Sequence, residues 1–409
     1  MFKLGDCLTI VNRALGEEEA NVEVEGFRLE KSHSAGFLGE TEVLKIRVKS
    51  CAKNVPHELS FFVKRLPKGN REQEALVREL DVYTKEIGIY ENVLRPLEGY
   101  FSEVYPRMYL AKDNEVLVME DLAALGFSTV DTHKLYDFEK CEAVVKALGK
   151  FHAMTLVTEK LNGTKLPDFI PDRFLRETLF ICEPSNALFK YVKVGIRVVD
   201  AIIVKHFPEV SPEVRGRIEA LLESLWDGLN PSLKFRNVLT HGDLWANNVM
   251  FSYNSQGTVK EVKIVDFQLV RYYPPAFDVL MLLHLTTSQD FRSKHSEALM
   301  LTYHLSLRHS LSHHSICIDD ILPWSELVAS ANHLIPIVRA IAVTYQQWTL
   351  LPTSKIDPIM KDPELYNHIV TVDRVDLVLE TIQDNENYRR RVLEAVSDIV
   401  DCVQNRMKH

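Results

Sequence analysis

The chain of 409 residues has no C-x-x-C pair, and its six cysteines, Cys7, Cys51, Cys141, Cys182, Cys317 and Cys402, are scattered along it. That spacing excludes a zinc ribbon or a dense disulfide framework and predicts free thiols in a reducing compartment. Blocks of Lys and Arg are also missing, and the net charge is -9. No nucleic-acid partner is therefore expected, although a local basic pocket for phosphates remains compatible with the total. The start, Met1-Phe-Lys-Leu-Gly-Asp-Cys7, lacks the unbroken apolar core of a signal peptide, and Phe2 stands where N-myristoylation needs glycine. Apolar stretches such as Val194 to Val204 are interrupted, here by Arg197 and Asp200. No membrane insertion is expected, and the protein is expected to be cytoplasmic. Internal repeats and low-complexity tracts are likewise missing. The length exceeds one ordinary core and suits two lobes.

What is present is concentrated in two segments, His241-Gly-Asp-Leu-Trp-Ala-Asn-Asn248 and Ile264-Val-Asp-Phe-Gln268. Moving a γ-phosphoryl group requires a divalent cation, a clamp on the phosphates and one oriented hydroxyl. Asp243 suits the role of base or orienting group. Asn248, five residues on, matches the spacing at which a catalytic-loop asparagine ligates Mg²⁺. Asp266 leaves an apolar stretch containing Val262 and Ile264, so a strand delivers its carboxylate as a second magnesium ligand. Asn254-Ser-Gln-Gly257 between the segments reads as a hairpin turn. Either segment alone is weak; both in order are specific.

Upstream, Leu44, Ile46 and Val48 alternate with lysine and arginine, and Leu59, Phe61 and Val63 alternate with Ser60, Phe62 and Lys64. These are strands of a small antiparallel sheet spanning residues 23 to 66. Gly36-Phe-Leu-Gly39 lies between the first two, where Gly36 and Gly39 let backbone N–H groups approach a phosphate, or simply make a hairpin. Lys64 faces away from the apolar set and is placed to reach the α and β phosphates. From Arg71 to Asn92, Leu76, Leu80, Tyr83, Ile87 and Tyr90 form one helical stripe. Glu79 and Glu86 flank it, and either satisfies the spacing for an ion pair with Lys64.

Further strands are expected at Arg107 to Ala111 and Val116 to Met119. The run Glu120-Asp-Leu122 then reads as a hinge whose backbone would meet adenine. Phe138 to Thr155 is a helix with Cys141, Val144, Val145, Leu148, Phe151 and His152 on one buried face, His152 as a hydrogen-bonded core residue. His304, His309, His313 and His314 lack the carboxylates or cysteines of a metal site and read as an exposed helix face. Tyr345 and Trp348 lie in a long helix, as core residues or as the wall of an acceptor pocket.

Five ordered motifs, Gly36-Phe-Leu-Gly-Glu40, Phe62-Val-Lys-Arg-Leu-Pro67, Val118-Met-Glu-Asp-Leu122, His241 to Asn248 and Val265-Asp-Phe-Gln-Leu269, resemble the ecdysteroid kinase-like family. That family belongs to the choline and aminoglycoside kinase group, and the resemblance continues through Arg271-Tyr-Tyr-Pro-Pro-Ala-Phe-Asp278. It implies an α+β, bilobal protein-kinase-like fold: an N-lobe over 1–121 built on an antiparallel sheet, and a larger helical C-lobe over 122–409. It implies ATP and Mg²⁺ as cofactors, with Gly36, Gly39, Lys64, Glu120 and Leu122 around the nucleotide. Asp243 serves the acceptor hydroxyl, Lys64 clamps phosphates, and Asn248 and Asp266 hold the metal. The family's Lys-Glu-hydrophobic run falls on Lys85-Glu86-Ile87 and favours Glu86 over Glu79 as the partner of Lys64. Asp278 is implied to brace the catalytic loop.

Gln268 stands where protein kinases have the D-F-G glycine, and no A-P-E segment marks an activation loop. A small-molecule alcohol is thus expected as acceptor, with no protein partner; the family name points to an ecdysteroid, and a xenobiotic alcohol is the rival. A different class, a non-catalytic pseudokinase that binds nucleotide or steroid, conflicts with the full set Lys64, Asp243, Asn248 and Asp266. A cationic acceptor such as choline or an aminoglycoside requires carboxylates or an aromatic cage beside the transferred hydroxyl.

Overall fold

The computed structural model of the chain describes residues 2–16, 22–31, 39–50, 56–67, 70–97, 102–112 and 115–407. The first element, helix α1 (Leu4–Leu15), was not anticipated, although Cys7, Ile10 and Val11 carry the three-and-four spacing of a buried stripe. An Asp6 carboxylate accepts the Lys3 N–H at 2.8 Å at its start, and Gly16, at φ +74°, ends it.

Strands β1 (Val22–Lys31), β2 (Glu40–Ser50), β3 (Pro56–Arg65), β4 (Met108–Lys112) and β5 (Val116–Glu120) form an antiparallel sheet in the order β1-β2-β3-β5-β4. The pleat sends alternate side chains to opposite faces. One face, with Leu44, Ile46, Phe61, Val63 and Val118, is buried against α1. Each such side chain contributes roughly 1.5–3 kcal/mol of transfer free energy. The other face presents Thr41, Lys45, Ser60 and Lys64, with Lys64 opposite Thr41 on one side and Leu117 on the other.

The single helix expected over Arg71 to Asn92 is instead α2 (Arg71–Glu79), α3 (Val82–Ile89) and a π-helical turn over Tyr90–Leu94. Asp81 breaks it with φ +52° and ψ 27°, a left-handed conformation that aspartate tolerates better than most side chains. The break leaves Glu79 on the exposed side of α2 while α3 buries Glu86. Four-and-three periodicity does not reveal a one-residue kink that preserves the apolar side.

The rest is mainly helical. Helix α4 (Phe138–Asn162) is capped by Asp137, whose side chain accepts the Lys140 N–H, and is stopped by Gly163 at φ +70°. Helices α5 (Ala187–His206), α6 (Pro212–Glu223), α7 (Ala276–Thr286), α8 (Gln289–Ser312) and α9 (Trp324–Thr349) follow. They are followed by α10 (Thr353–Lys361), α11 (Pro363–Asn367), α12 (Val375–Asp384) and α13 (Glu386–Met407). Helix α9 is long and apolar enough to cross a membrane by length and composition, unlike Val194 to Val204, but most of its apolar window is buried inside the fold. Within the helical part, the short strands β6 (Ser128–Thr129) and β7 (Val238–Thr240) precede β8 (Val249–Tyr253) and β9 (Val259–Ile264), which pair as the expected hairpin, with Gly257 at φ +80° in its turn. The two parts meet again at Asn70, whose side-chain amide donates to the Met360 carbonyl at 3.3 Å.

Two histidine expectations part company. His152 is a fully buried core residue, bonded to Tyr303 at 2.8 Å and Asp278 at 3.0 Å. The set His304, His309, His313 and His314 is not one exposed face: His304 is buried, with Nε2 3.0 Å from the Leu322 carbonyl, whereas His309 and His313 are exposed one turn apart. An extra apolar neighbour, Trp324, packs edge-on against His304 and accounts for its burial.

Candidate functional site

The inner face of the sheet, α3 and the β8–β9 hairpin converge on one cleft of about 880 Å³. At its centre Lys64 Nζ lies 2.7 Å from Glu86 Oε2 and 2.7 Å from Asp266 Oδ1. Glu86, rather than Glu79, is thus the partner of Lys64. Its second oxygen accepts the Phe267 N–H at 3.2 Å, tying α3 to the segment after β9. Lys85, next in sequence, points away and donates to the Arg176 carbonyl at 2.7 Å. Asp266 sits at φ +72° and ψ 74°, a left-handed conformation rare for a side chain, held by its surroundings. Phe267 supplies much of that hold, packing edge-on against Tyr90 and His241 and tilted against Phe151.

The loop after strand β7 (Val238–Thr240) carries His241, Gly242 and Asp243. Asp278 of α7 accepts two backbone N–H groups from it, His241 at 2.6 Å and Gly242 at 3.0 Å, and is itself bonded to His152. Burial alone would raise this carboxyl; the His152 bond, the nearby His152 and His241 rings and the Gly242 N–H hold it low. Gly242 has φ +81°, and a Cβ there would stand 2.2 Å from the Leu269 carbonyl oxygen, so only glycine fits. The His241 ring bonds the Val265 carbonyl at 2.9 Å, locking this loop to the strand that ends before Asp266.

Asp243 is 7% exposed. The Asn248 side-chain amide donates to its backbone oxygen at 2.7 Å and to Oδ2 at 2.9 Å, and the Tyr345 hydroxyl bonds the same carboxyl. Burial, reinforced by the nearby Asp266, pushes the Asp243 carboxyl up to about 8, against the opposing pull of Asn248, Arg271 and Tyr345. Burial by itself would depress the Lys64 ammonium; Asp266 and Glu86 outweigh it and raise it well above its ordinary range. Burial also raises Glu86 despite its lysine, because one ammonium is shared between two carboxylates.

The residues can hold a hard cation. With its nitrogen spent on Asp243, Asn248 has its side-chain oxygen left as a donor, and Asp266 supplies a carboxylate. Among the described residues no cage of three or more His, Cys, Asp or Glu exists. Mg²⁺ needs none, since it keeps several waters and takes one or two protein oxygens beside phosphate oxygens. On the roof, Gly39 has no room for a side chain, a Cβ falling 2.4 Å from the Tyr83 hydroxyl, while Gly36 lies outside the described residues. At the expected hinge, Glu120 donates its N–H to the Arg107 carbonyl at 2.9 Å, and Leu122 donates its own to the Glu120 carbonyl at 3.1 Å. Of the backbone expected to meet adenine, the Leu122 N–H is therefore engaged within a tight three-residue turn. Beside it Lys45, Ser60 and Asp121 form a hydrogen-bonded chain that the motifs did not signal.

The same cleft also has an apolar and aromatic lining. It includes Leu80, Tyr191, Tyr345, Trp348, Met360 and Tyr366, and Tyr345 joins it to Asp243. Tyr345 and Trp348 are thus cleft residues as well as part of the packed helix α9. Tyr191 on α5 and Tyr366 on α11 were not anticipated, because neither sits in a recognisable motif.

The ecdysteroid kinase-like family model matches residues 40–316, more than half of the chain. No curated protein matches it. Among solved structures, the GDP and kanamycin complex of APH(2'')-IIIa is 12% identical over 94% of this chain and 100% of that chain, with a TM-score of 0.41. The ADP-bound aminoglycoside phosphotransferase APH(2'')-Ib is also 12% identical, over 95% of this chain and 97% of that chain, with a TM-score of 0.38.

Proposed function

The chain belongs to the ecdysteroid kinase-like family, a family of small-molecule kinases, and we propose that it transfers the γ-phosphoryl group of ATP to a hydroxyl of an apolar small molecule. An ecdysteroid or a xenobiotic alcohol has the right character. The observation that carries this reading is that Asp243 adjoins both sets of groups lining one cleft. Asp266, paired with Lys64 as Glu86 is, acts on its carboxyl, Asn248 bonds it, and so does Tyr345 of the aromatic lining that includes Tyr191, Trp348 and Tyr366.

In this reading Lys64 neutralises phosphate oxygens while Glu86 fixes its position. Asn248 and Asp266 would hold Mg²⁺, which supplies charge stabilisation to the phosphates. Asp243 orients the acceptor hydroxyl and takes its proton as the acceptor oxygen–phosphorus bond forms and the bond to the β-phosphate oxygen breaks, releasing ADP. A carboxyl poised at about 8 is well matched to proton uptake near neutral pH. Asn248 and Tyr345 hold that carboxyl in place for the incoming hydroxyl. The cytoplasm, where ATP is supplied, is the compartment we propose.

The test is Mg²⁺-dependent ATP consumption by the purified protein with ecdysteroids, plant alcohols, choline and aminoglycosides, with phosphorylated product identified by mass. Product from an apolar alcohol, lost by about 10²–10⁴-fold in Asp243→Asn, is the expected result. Undiminished turnover in that variant would remove Asp243 from the chemistry, and nucleotide binding with no product would favour a pseudokinase.

A further inference from the structure

We propose that Arg374, buried behind the aromatic wall of the acceptor compartment, makes the site discriminate against positively charged acceptors and is a specificity-determining residue. The inference rests on the phosphotransfer reading above and adds a charge selection to it.

Aromatic walls alone would suit an ammonium group, because the faces of Tyr and Trp attract cations. One of these faces is already taken. The Arg374 guanidinium lies 4.4 Å from the ring centroid of Tyr191. Tyr191 lines the cleft, whereas Arg374 is 1% exposed and does not, so the ring stands between the charge and the compartment. Among the described residues the guanidinium makes hydrogen bonds to neutral oxygens, the Gln347 side chain at 3.3 Å and the Tyr191 carbonyl at 3.4 Å. Among the described residues no carboxylate forms an ion pair with it. Its neighbour Asp373 accepts the Val375 N–H at 3.0 Å and offsets part of the guanidinium charge without forming an ion pair with it. Arg197 adds a second positive charge on the same side, bonded to the Val372 carbonyl.

Burying an unpaired guanidinium is costly, and Arg keeps its proton in proteins. The fold nevertheless makes room for it. Gly195 of α5 leaves the space that Arg374 uses, since a Cβ there would fall 2.9 Å from Nη2. Gln347 is itself positioned by its donation to the Gly195 carbonyl at 3.1 Å and by Tyr388 on its own carbonyl at 2.7 Å. The opposing charge on the compartment side is Asp243, whose field also reaches Tyr191; it is common to every variant compared below and so does not enter the change in their ratio.

A cation resting on the cleft face of Tyr191 would lie roughly 9 Å from the guanidinium. At an effective dielectric constant near 20, their repulsion corresponds to roughly 20-fold in affinity. The experiment compares 2-(4-tert-butylphenyl)ethanol with its charged isostere, 4-(2-hydroxyethyl)-N,N,N-trimethylanilinium, on wild type, Arg374→Met, Arg374→Gln and Arg374→Lys. Binding is read by tryptophan fluorescence, phosphorylated product by mass, and folding by the thermal midpoint. The neutral-to-cationic affinity ratio is expected to fall about 20-fold in whichever neutral variant folds and to persist in Arg374→Lys. An unchanged ratio in a folded Arg374→Met or Arg374→Gln overturns the inference, as does equal binding of both isosteres to wild type or binding of neither. Discrimination in binding without product would leave the charge selection standing while removing the phosphotransfer reading.

Discussion

Replacing Asp243 with asparagine should make the protein more stable than the parent at pH 9 and leave the two nearly alike near pH 4. The reasoning starts from burial: the carboxyl is 7% exposed, beside Asp266, and its pKa is raised from 3.8 to about 8. A folded state that holds the proton more tightly than the unfolded chain is stabilised by it below pH 3.8. That contribution is lost as pH rises through about 8. At 1.36 kcal/mol per pKa unit the full loss is about 5–6 kcal/mol, of which about 4 kcal/mol falls between pH 5 and 9. Asparagine keeps the shape, carries no proton to lose, and removes the titration. Urea unfolding of both proteins at half-unit intervals over this range, without metal or nucleotide, measures the difference directly. The two proteins being equally stable at pH 9 and at pH 5 would show that Asp243 is ionised throughout, and the desolvation argument would be wrong.

Glu86→Gln should lower phosphotransfer about 100-fold by releasing Lys64, whereas Glu79→Gln should leave both turnover and stability within about 0.5 kcal/mol of the parent; steady-state kinetics and urea melts separate them. Gly242→Ala forces a Cβ to within 2.2 Å of the Leu269 carbonyl at positive φ, and should cost roughly 3 kcal/mol in calorimetric stability. Asp278→Asn turns one acceptor oxygen into a donor against the backbone N–H groups of His241 and Gly242; a loss of roughly 3 kcal/mol in denaturant unfolding is expected, together with lost activity.

The polar half of the cleft was legible because its chemistry is carried by short segments. Asp243 and Asn248 are fixed to one another by a five-residue spacing, and the Asn248–Asp243 bonds at 2.7 and 2.9 Å realise it. Asp266 follows a strand whose pairing with β8 could be read from the hairpin turn. The choice between Glu79 and Glu86 illustrates the limit of periodicity. Both positions flank the same apolar stripe on an unbroken helix, and only the left-handed Asp81 sends one outward and the other to Lys64. A single φ angle decides it, and aspartate specifies that angle weakly. Helix α1 was missed for a different reason: twelve residues with three fully buried positions make a short stripe that gains significance only against the sheet beneath it.

The acceptor half resists sequence reading because no local spacing defines it. Tyr191, Tyr345, Trp348 and Tyr366 come from three helices, and each alone is indistinguishable from a packed aromatic. Their meeting depends on α9 crossing α5 with Gln347 bonded to Gly195, a contact between residues 152 positions apart. Arg374 is harder still, since an arginine ahead of a helix reads as solvated until the glycine that admits it is placed beside it. The same distances carry the functional argument. The carboxylates Glu86 and Asp266 are gathered around Lys64, with Asp243 beside Asp266, where in the proposed reading phosphates and a divalent cation would balance them, while Tyr191 is backed by Arg374 with no carboxylate among the described residues in an ion pair with it. On the proposal above, the wall that Arg374 backs disfavours a cation. In the proposed reading, an acceptor that presents a hydroxyl to Asp243 and an uncharged apolar body to Tyr191 would suit both.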